Sequence, residues 1–231
     1  MRRTLVFGGS GYVGAEVVRR IGGDVRYTWR TADPGLGQGY RVDLAEPGAI
    51  AGLFDTLDGW VPDTVVHAVG VPAVGGIAEL DAATFERAMR VHVGSALEAV
   101  CEVERRSALA VDLPAPPGGG TRSFIWFGAL DRGQSFGLPA WYAAAQGALS
   151  AAAMALGHEL GGRGYRVNVL ALGLLDGGAA RHVPRAQVEA YLRFAALRRV
   201  GTAAEAADAA VWLARGNTAI NGKVVPINGG I

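Results

Sequence analysis

The chain has 231 residues, half of them hydrophobic and 19% charged, which suits one well-buried α/β domain and excludes a disordered chain. Its 22 basic and 21 acidic residues leave a net charge of +1, so nothing in the charge balance argues for a nucleic-acid or membrane surface as partner. A single cysteine, Cys101, excludes an internal disulfide and points to a reducing compartment.

From the N-terminus, Thr4–Phe7 reads as a short strand that runs straight into glycines, too early for a signal peptide. A helical pattern follows at Val13–Ile21, a strand at Val25–Trp29, a Gly-rich turn at Asp33–Gly39 and a short strand at Arg41–Leu44. Next come a helix at Pro47–Leu57, a strand at Thr64–Val69 and one long helix at Ala82–Arg106. Asp112–Thr121, with three prolines and three consecutive glycines, reads as a surface loop before the strand Ser123–Phe127. The remaining pattern is a helix at Trp141–Leu160, a strand at Arg166–Leu170 and an irregular segment at Leu172–Pro184. Helices at Arg185–Ala196 and Ala203–Ala214 and a strand at Lys223–Ile227 close the chain. Short β-branched runs alternating with helices predict a single Rossmann-type domain over residues 1–231, with a doubly wound, mostly parallel seven-stranded sheet and helices on both faces. No apolar stretch reaches the length that spans a bilayer, and a cytoplasmic protein is expected.

Phe7-Gly8-Gly9-Ser10-Gly11-Tyr12-Val13-Gly14 carries the spacing GxxGxxG between the first strand and the first helix. Gly8 suits a tight turn, Gly11 lets backbone approach a pyrophosphate, and Gly14 permits close helix packing. The helix start offers unpaired N–H groups to phosphate. The second strand ends in Trp29-Arg30-Thr31, where a cation favours the 2′-phosphate of NADP over the free ribose of NAD.

Several further segments, in order, resemble the short-chain dehydrogenase/reductase superfamily. They are Val42-Asp43-Leu44, Val65-Val66-His67-Ala68-Val69-Gly70, Tyr142-Ala143-Ala144-Ala145-Gln146, Arg166-Val167-Asn168-Val169-Leu170 and the terminal Ile227-Asn228-Gly229-Gly230. The His-Ala-Val-Gly segment is closest to the form found in polyketide-type ketoreductases. The resemblance implies hydride transfer between a nicotinamide and a carbonyl or alcohol. It implies cofactor contacts at Gly8, Ser10, Gly11, Tyr12, Val13, Arg30, Asp43, Leu44, Ala68, Val69, Gly70, Gly173 and Leu175. His67 is expected beside the adenosine. The family's usual dimer surface would be built by the long helices, giving a homodimer or homotetramer.

The family's proton chemistry uses a tyrosine, a lysine, a serine and an asparagine. Tyr142 stands in the tyrosine position, but Gln146 replaces the lysine, Ala129 the serine and His92 the asparagine. A neutral amide at Gln146 cannot depress a phenol pKa as a cation would. Tyr142 is either the proton donor or a pocket-lining residue. His92 is either a relay group or, as its mid-helix place favours, a hydrogen-bonded structural residue. His158 and His182 read as surface residues, Cys101 as a small buried side chain, and no metal-ligand spacing is present. Leu172–Pro184, with Asp176, Arg181 and His182, reads as a lid or a mobile loop.

Three functions follow. The first is an atypical NADPH-dependent ketoreductase acting on a small-molecule carbonyl substrate, for instance an aromatic polyketide in antibiotic biosynthesis whose own acidic hydroxyl supplies the proton. The second is a non-redox cyclase, dehydratase or isomerase on the same scaffold. The third is a catalytically inactive, nucleotide-binding regulatory subunit.

Overall fold

A computed structural model describes residues 1–109, 122–129 and 138–231. The expected loop at Asp112–Thr121 and Leu130 lie outside these residues. Seven strands form one sheet: β1 (Arg3–Phe7), β2 (Asp24–Trp29), β3 (Gln38–Arg41), β4 (Thr64–His67), β5 (Arg122–Gly128), β6 (Tyr165–Leu172) and β7 (Lys223–Ile227). Their order is β3-β2-β1-β4-β5-β6-β7. Every pairing is parallel, from Trp29 opposite Arg41 at one side to Leu172 opposite Ile227 at the other. The sheet is thus wholly rather than mostly parallel: no connection is a hairpin, and all but the β2–β3 link, a loop of residues 30–37, cross over through a helix.

Consecutive strand residues face opposite sides, and here both sides are apolar. Leu5, Val65, Phe124 and Val167 pack with α2 (Ala49–Thr56), α4 (Ser95–Leu109) and α5 (Ala140–Gly161) on one face. Val6, Val66, Ile125 and Leu170 pack with α1 (Tyr12–Ile21) and α7 (Ala203–Arg215) on the other. Two-sided burial explains why the central strands β1, β4 and β5 read as apolar runs. A further helix, α6 (Arg185–Phe194), contributes only Tyr191 to the interior.

Three expectations need correction. The short strand predicted at Arg41–Leu44 lies earlier, at Gln38–Arg41, where Tyr27 to Trp29 offer pairing partners. The long helix predicted over Ala82–Arg106 is broken into α3 (Ala82–Met89), a π-turn (Arg90–Gly94) and α4. The Ser95 hydroxyl donates to the Val91 carbonyl at 2.7 Å while the Ser95 N–H bonds to Arg90, an arrangement that widens this turn. Cys101 is exposed, not buried. The inward stripe of α4 is Ala96, Ala99, Val100 and Val103, and the residue after Val100 turns away from it.

Candidate functional site

The strand order reverses between β1 and β4, the place where open parallel sheets leave a crevice beyond their carboxyl ends. Gly8 follows β1 with φ +76°, a conformation that favours glycine, and a Cβ there would lie 2.5 Å from the Ala68 carbonyl oxygen. The Gly11 N–H closes the turn on the Gly8 carbonyl at 2.9 Å. A Cβ on Gly14 would reach within 2.1 Å of that same carbonyl, so only glycine lets α1 start this close to the loop. Gly11 caps α1 without a side-chain hydrogen bond, and no acidic residue occupies the first turn. The helix therefore presents its first N–H groups and its positive end to an anion.

A groove of about 440 Å³ opens at this crevice. Of the residues expected to hold a cofactor, it gathers Gly8, Ser10, Gly11, Arg30, Asp43, Leu44, Ala68, Val69 and Gly70. Asp43 also accepts the Ala45 N–H at 3.0 Å, which fixes the turn after β3. Sequence reasoning passed over two polar side chains in the groove. Thr28, buried on β2, accepts the Gly8 N–H through Oγ1 at 3.0 Å and pins the glycine loop. Arg87, exposed on α3, adds a second guanidinium to the groove that holds Arg30. A threonine in a strand and an arginine on a helix carry no signal of this kind in a single sequence.

Four expected cofactor residues lie elsewhere. Val13 packs against the α1–α7 side of the core. The Tyr12 hydroxyl donates to Asp176, and a Cβ on Gly177 would sit 2.7 Å from its ring and one on Gly178 2.9 Å from its Cβ. The segment after β6, expected as a lid or a loop, is thus folded onto the glycine loop beside a second cavity of about 660 Å³ that includes Arg181. Gly173 faces Tyr191 and Asn228, and Leu175 bridges to Gly201.

At the inner end of the groove, Gly70 and Val71 lead to the three residues expected to carry chemistry. Tyr142 and Gln146 stand one turn apart at the head of α5, and His92 reaches them from the π-turn. The His92 and Tyr142 rings meet edge-on, centroids 5.2 Å apart. Gln146 is buried; its Oε1 accepts the Ala129 N–H at 3.1 Å and its Nε2 lies 3.1 Å from His92 Nδ1. His92 Nε2 lies 3.2 Å from the Val71 N–H. Burial pushes the Tyr142 phenol up to about 12 and the His92 imidazole down to about 4, so both are neutral at pH 7. Gly70 is required here by the histidine: a Cβ would lie 2.7 Å from His92 Cε1.

His67 is not beside the groove as expected. It alternates with Val66 on β4 and so points to the α4 side, fully buried, with Nε2 2.7 Å from Ser95 Oγ and its ring 6.1 Å from that of Phe7. Burial holds its pKa down at about 3. His158 and His182 are exposed.

A wholly parallel sheet with a glycine cradle at its switch point, and a Tyr-x-x-x-Gln at the head of α5, defines a nucleotide-binding α/β protein. The sequence profile of a family described as enoyl-(acyl carrier protein) reductase matches residues 30–231. The chain belongs to this family, within the short-chain dehydrogenase/reductase superfamily of NAD(P)H-dependent oxidoreductases. It is 41% identical to the 3-oxoacyl-(acyl-carrier-protein) reductase FabG of Pseudomonas aeruginosa over 91 residues, which span 39% of this chain and 37% of that protein. It is 28% identical over 228 residues to a cyclic-di-GMP-binding biofilm dispersal mediator protein of Escherichia coli, covering 92% of this chain and 89% of that one. Its fold matches the crystal structure of BdcA in complex with NADPH with a TM-score of 0.85 at 24% identity, over 100% of this chain and 94% of the other. Among the described residues, no helix is long and apolar enough to cross a membrane.

Proposed function

We propose that the chain is an NADPH-dependent ketone reductase whose substrate carries an acidic hydroxyl beside the ketone, as aromatic polyketides do. The observation that carries this reading is the continuity of the groove. It runs from the glycine cradle and Arg30 to Gly70 and Val71, and Val71 touches the His92–Gln146–Tyr142 cluster. The cradle fits a dinucleotide: a Cβ on Gly8 would fill it, and the N-terminus of α1 is open to a pyrophosphate. Arg30 and Arg87 suit a 2′-phosphate, and NADPH is the ligand in the similar BdcA structure. Reduction of a 3-oxoacyl group by the similar FabG supports the ketone.

When bound, the nicotinamide supplies a hydride to the carbonyl carbon. The chain's own residues orient the ketone and exclude water. With Gln146 where a lysine would lower its pKa, Tyr142 stays protonated, and a phenol near 12 is a poor proton donor. The substrate's own acidic group therefore gives the proton to the nascent alkoxide. Exposed Leu97 on α4 and Met154 on α5 support assembly through these helices as a homodimer or homotetramer.

The test is a titration of the protein with NADPH and NADH, followed by NADPH oxidation with a panel of 3-oxoacyl and aromatic ketones. NADPH is expected to bind more tightly, Arg30→Ala to lose that preference about tenfold, and Tyr142→Phe to retain most of the rate. Binding of neither nucleotide refutes the reading. NADPH binding without oxidation by any ketone favours a nucleotide-sensing subunit, and turnover without nicotinamide favours a cyclase, dehydratase or isomerase.

A further inference from the structure

Ser95 sits where the π-turn joins α4, and its hydroxyl has one proton for two neighbours, the Val91 carbonyl and His67 Nε2, each at 2.7 Å. His67, Val91 and Ser95 are all buried. In an α-turn the Ser95 N–H would serve the Val91 carbonyl. Here that N–H is engaged by Arg90, so the hydroxyl proton is the donor that the carbonyl receives. The Ser95 oxygen then has no proton left for His67 and accepts from it instead. A neutral imidazole carries one N–H, and with its pKa held at about 3 His67 is neutral at pH 7. Its proton therefore lies on Nε2. The other tautomer would fail twice. A proton on Nδ1 would be a buried donor with no acceptor among the described residues, and Nε2 would draw the Ser95 proton away from Val91. Each unmet buried group is costly.

We propose that His67 is a positioning residue for the reactive end: by donating to Ser95 it commits the serine proton to Val91, keeps the turn wide, and so aims His92 at Tyr142 and Gln146. The tether is rigid at its root, because His67 ends a strand paired on both sides, with Phe7 on β1 and Trp126 on β5. His92 lies inside the turn that Ser95 closes. With the same residues in an α-turn, the segment before Ser95 would be reset by about 100° around the helix axis and about 1.5 Å along it. The His92 ring would then leave its edge-on contact with Tyr142 and its 3.1 Å contact with Gln146. His67 does not line the groove, so it reaches a ligand only through Ser95 and His92. The reaction it serves is that of the ketone-reductase reading, on which the inference rests, but the placement of His92 is read out without turnover.

The experiment is NMR of the full chain with ¹⁵N,¹³C-labelled histidine, the His67 and His92 signals being assigned by their loss in His67→Gln and His92→Asn. In the native chain His67 is expected as the Nε2–H tautomer alone, and the His92 ring protons are expected to carry the ring-current shift of Tyr142. Ser95→Ala offers Val91 no hydroxyl, and His67→Leu offers the serine no donor. Both should move the His92 signals and lower kcat for a ketone about tenfold or more, with NADPH affinity unchanged. His67→Gln brings an amide N–H to Ser95 and should rescue both readouts. His67→Leu on top of Ser95→Ala should add nothing to either. His67 found as the Nδ1–H tautomer overturns the proposal even if no variant folds. So does a folded Ser95→Ala chain with its His92 signals unmoved, or a His67→Gln chain that behaves as His67→Leu. In a chain that reduces ketones, a displaced His92 with kcat unchanged overturns it too. If the native chain reduces no ketone, the reductase falls and the His92 signals alone decide the positioning.

Discussion

Gly70→Ala is a one-atom test of how the reactive end is packed. The backbone at Gly70 has no positive φ, so alanine meets no conformational strain and the effect is steric. The new Cβ would lie 2.7 Å from His92 Cε1 and 3.4 Å from Nε2, so the ring must retreat by about 0.8 Å to reach ordinary contact. His92 is only 2% exposed and meets Tyr142 on another side, which leaves it little room. The 3.2 Å contact with Val71 is already long and is lost, and the 3.1 Å contact with Gln146 is strained. The displaced ring, the part-buried Val71 donor left without its partner and the weakened Gln146 contact together cost about 3 kcal/mol. For a chain of this size that lowers Tm by roughly 6–12 °C. Thermal melting of Gly70→Ala, His92→Ala and the double variant forms a cycle. Removing the imidazole makes room for the methyl group, so the double variant should melt close to His92→Ala alone. A Gly70→Ala protein that melts with the native chain, or losses that simply add, would refute this packing.

Thr28→Val keeps the shape of the side chain but leaves the Gly8 N–H without its 3.0 Å acceptor; a loss of about 1–2 kcal/mol in denaturant melts and weaker NADPH binding by calorimetry are expected. Acid should act through two histidines, since His67 and His92 have folded-state pKa values near 3 and 4 against about 6.5 unfolded. The folded chain binds fewer protons than the unfolded one between these values. The stability they hold is therefore complete above pH 6.5 and lost as pH falls through 6.5 toward 4 and 3. Tm measured against pH should fall over that window, and less steeply in His67→Gln. Glu205 is depressed to about 2 by Arg199 and by the Thr202 N–H of its capping box, so its contribution is present above about 4.5 and fades below it. Glu205→Gln should flatten only that lower part of the curve.

What the sequence made legible was whatever repeats in type or spacing. The glycine loop could be read because Gly8 and Gly14 are demanded by contacts between neighbours in the chain. Arg30 and Asp43 could be read because they follow strands at fixed places in a parallel sheet. The central strands β1, β4 and β5 were legible as apolar runs, since both faces of the sheet are buried there. What escaped depended on tertiary partners. The π-turn arises from a single serine satisfying a carbonyl, and a serine within an apolar helical pattern gives no warning of it. His67 occupies a segment that suggests a cofactor contact, yet strand alternation turns it to Ser95.

The reactive end shows most clearly why residue identity is not enough. Gln146 in place of lysine and His92 in place of asparagine look, as separate substitutions, like the loss of a proton-transfer apparatus. Side by side between two backbone N–H groups they form a chain with a definite polarity and a surplus donor. That property belongs to neither residue and depends on Val71 and Ala129 arriving from β4 and β5. With the cation gone, burial leaves Tyr142 a weak acid, and beside it the imidazole and the amide meet as two neutral groups.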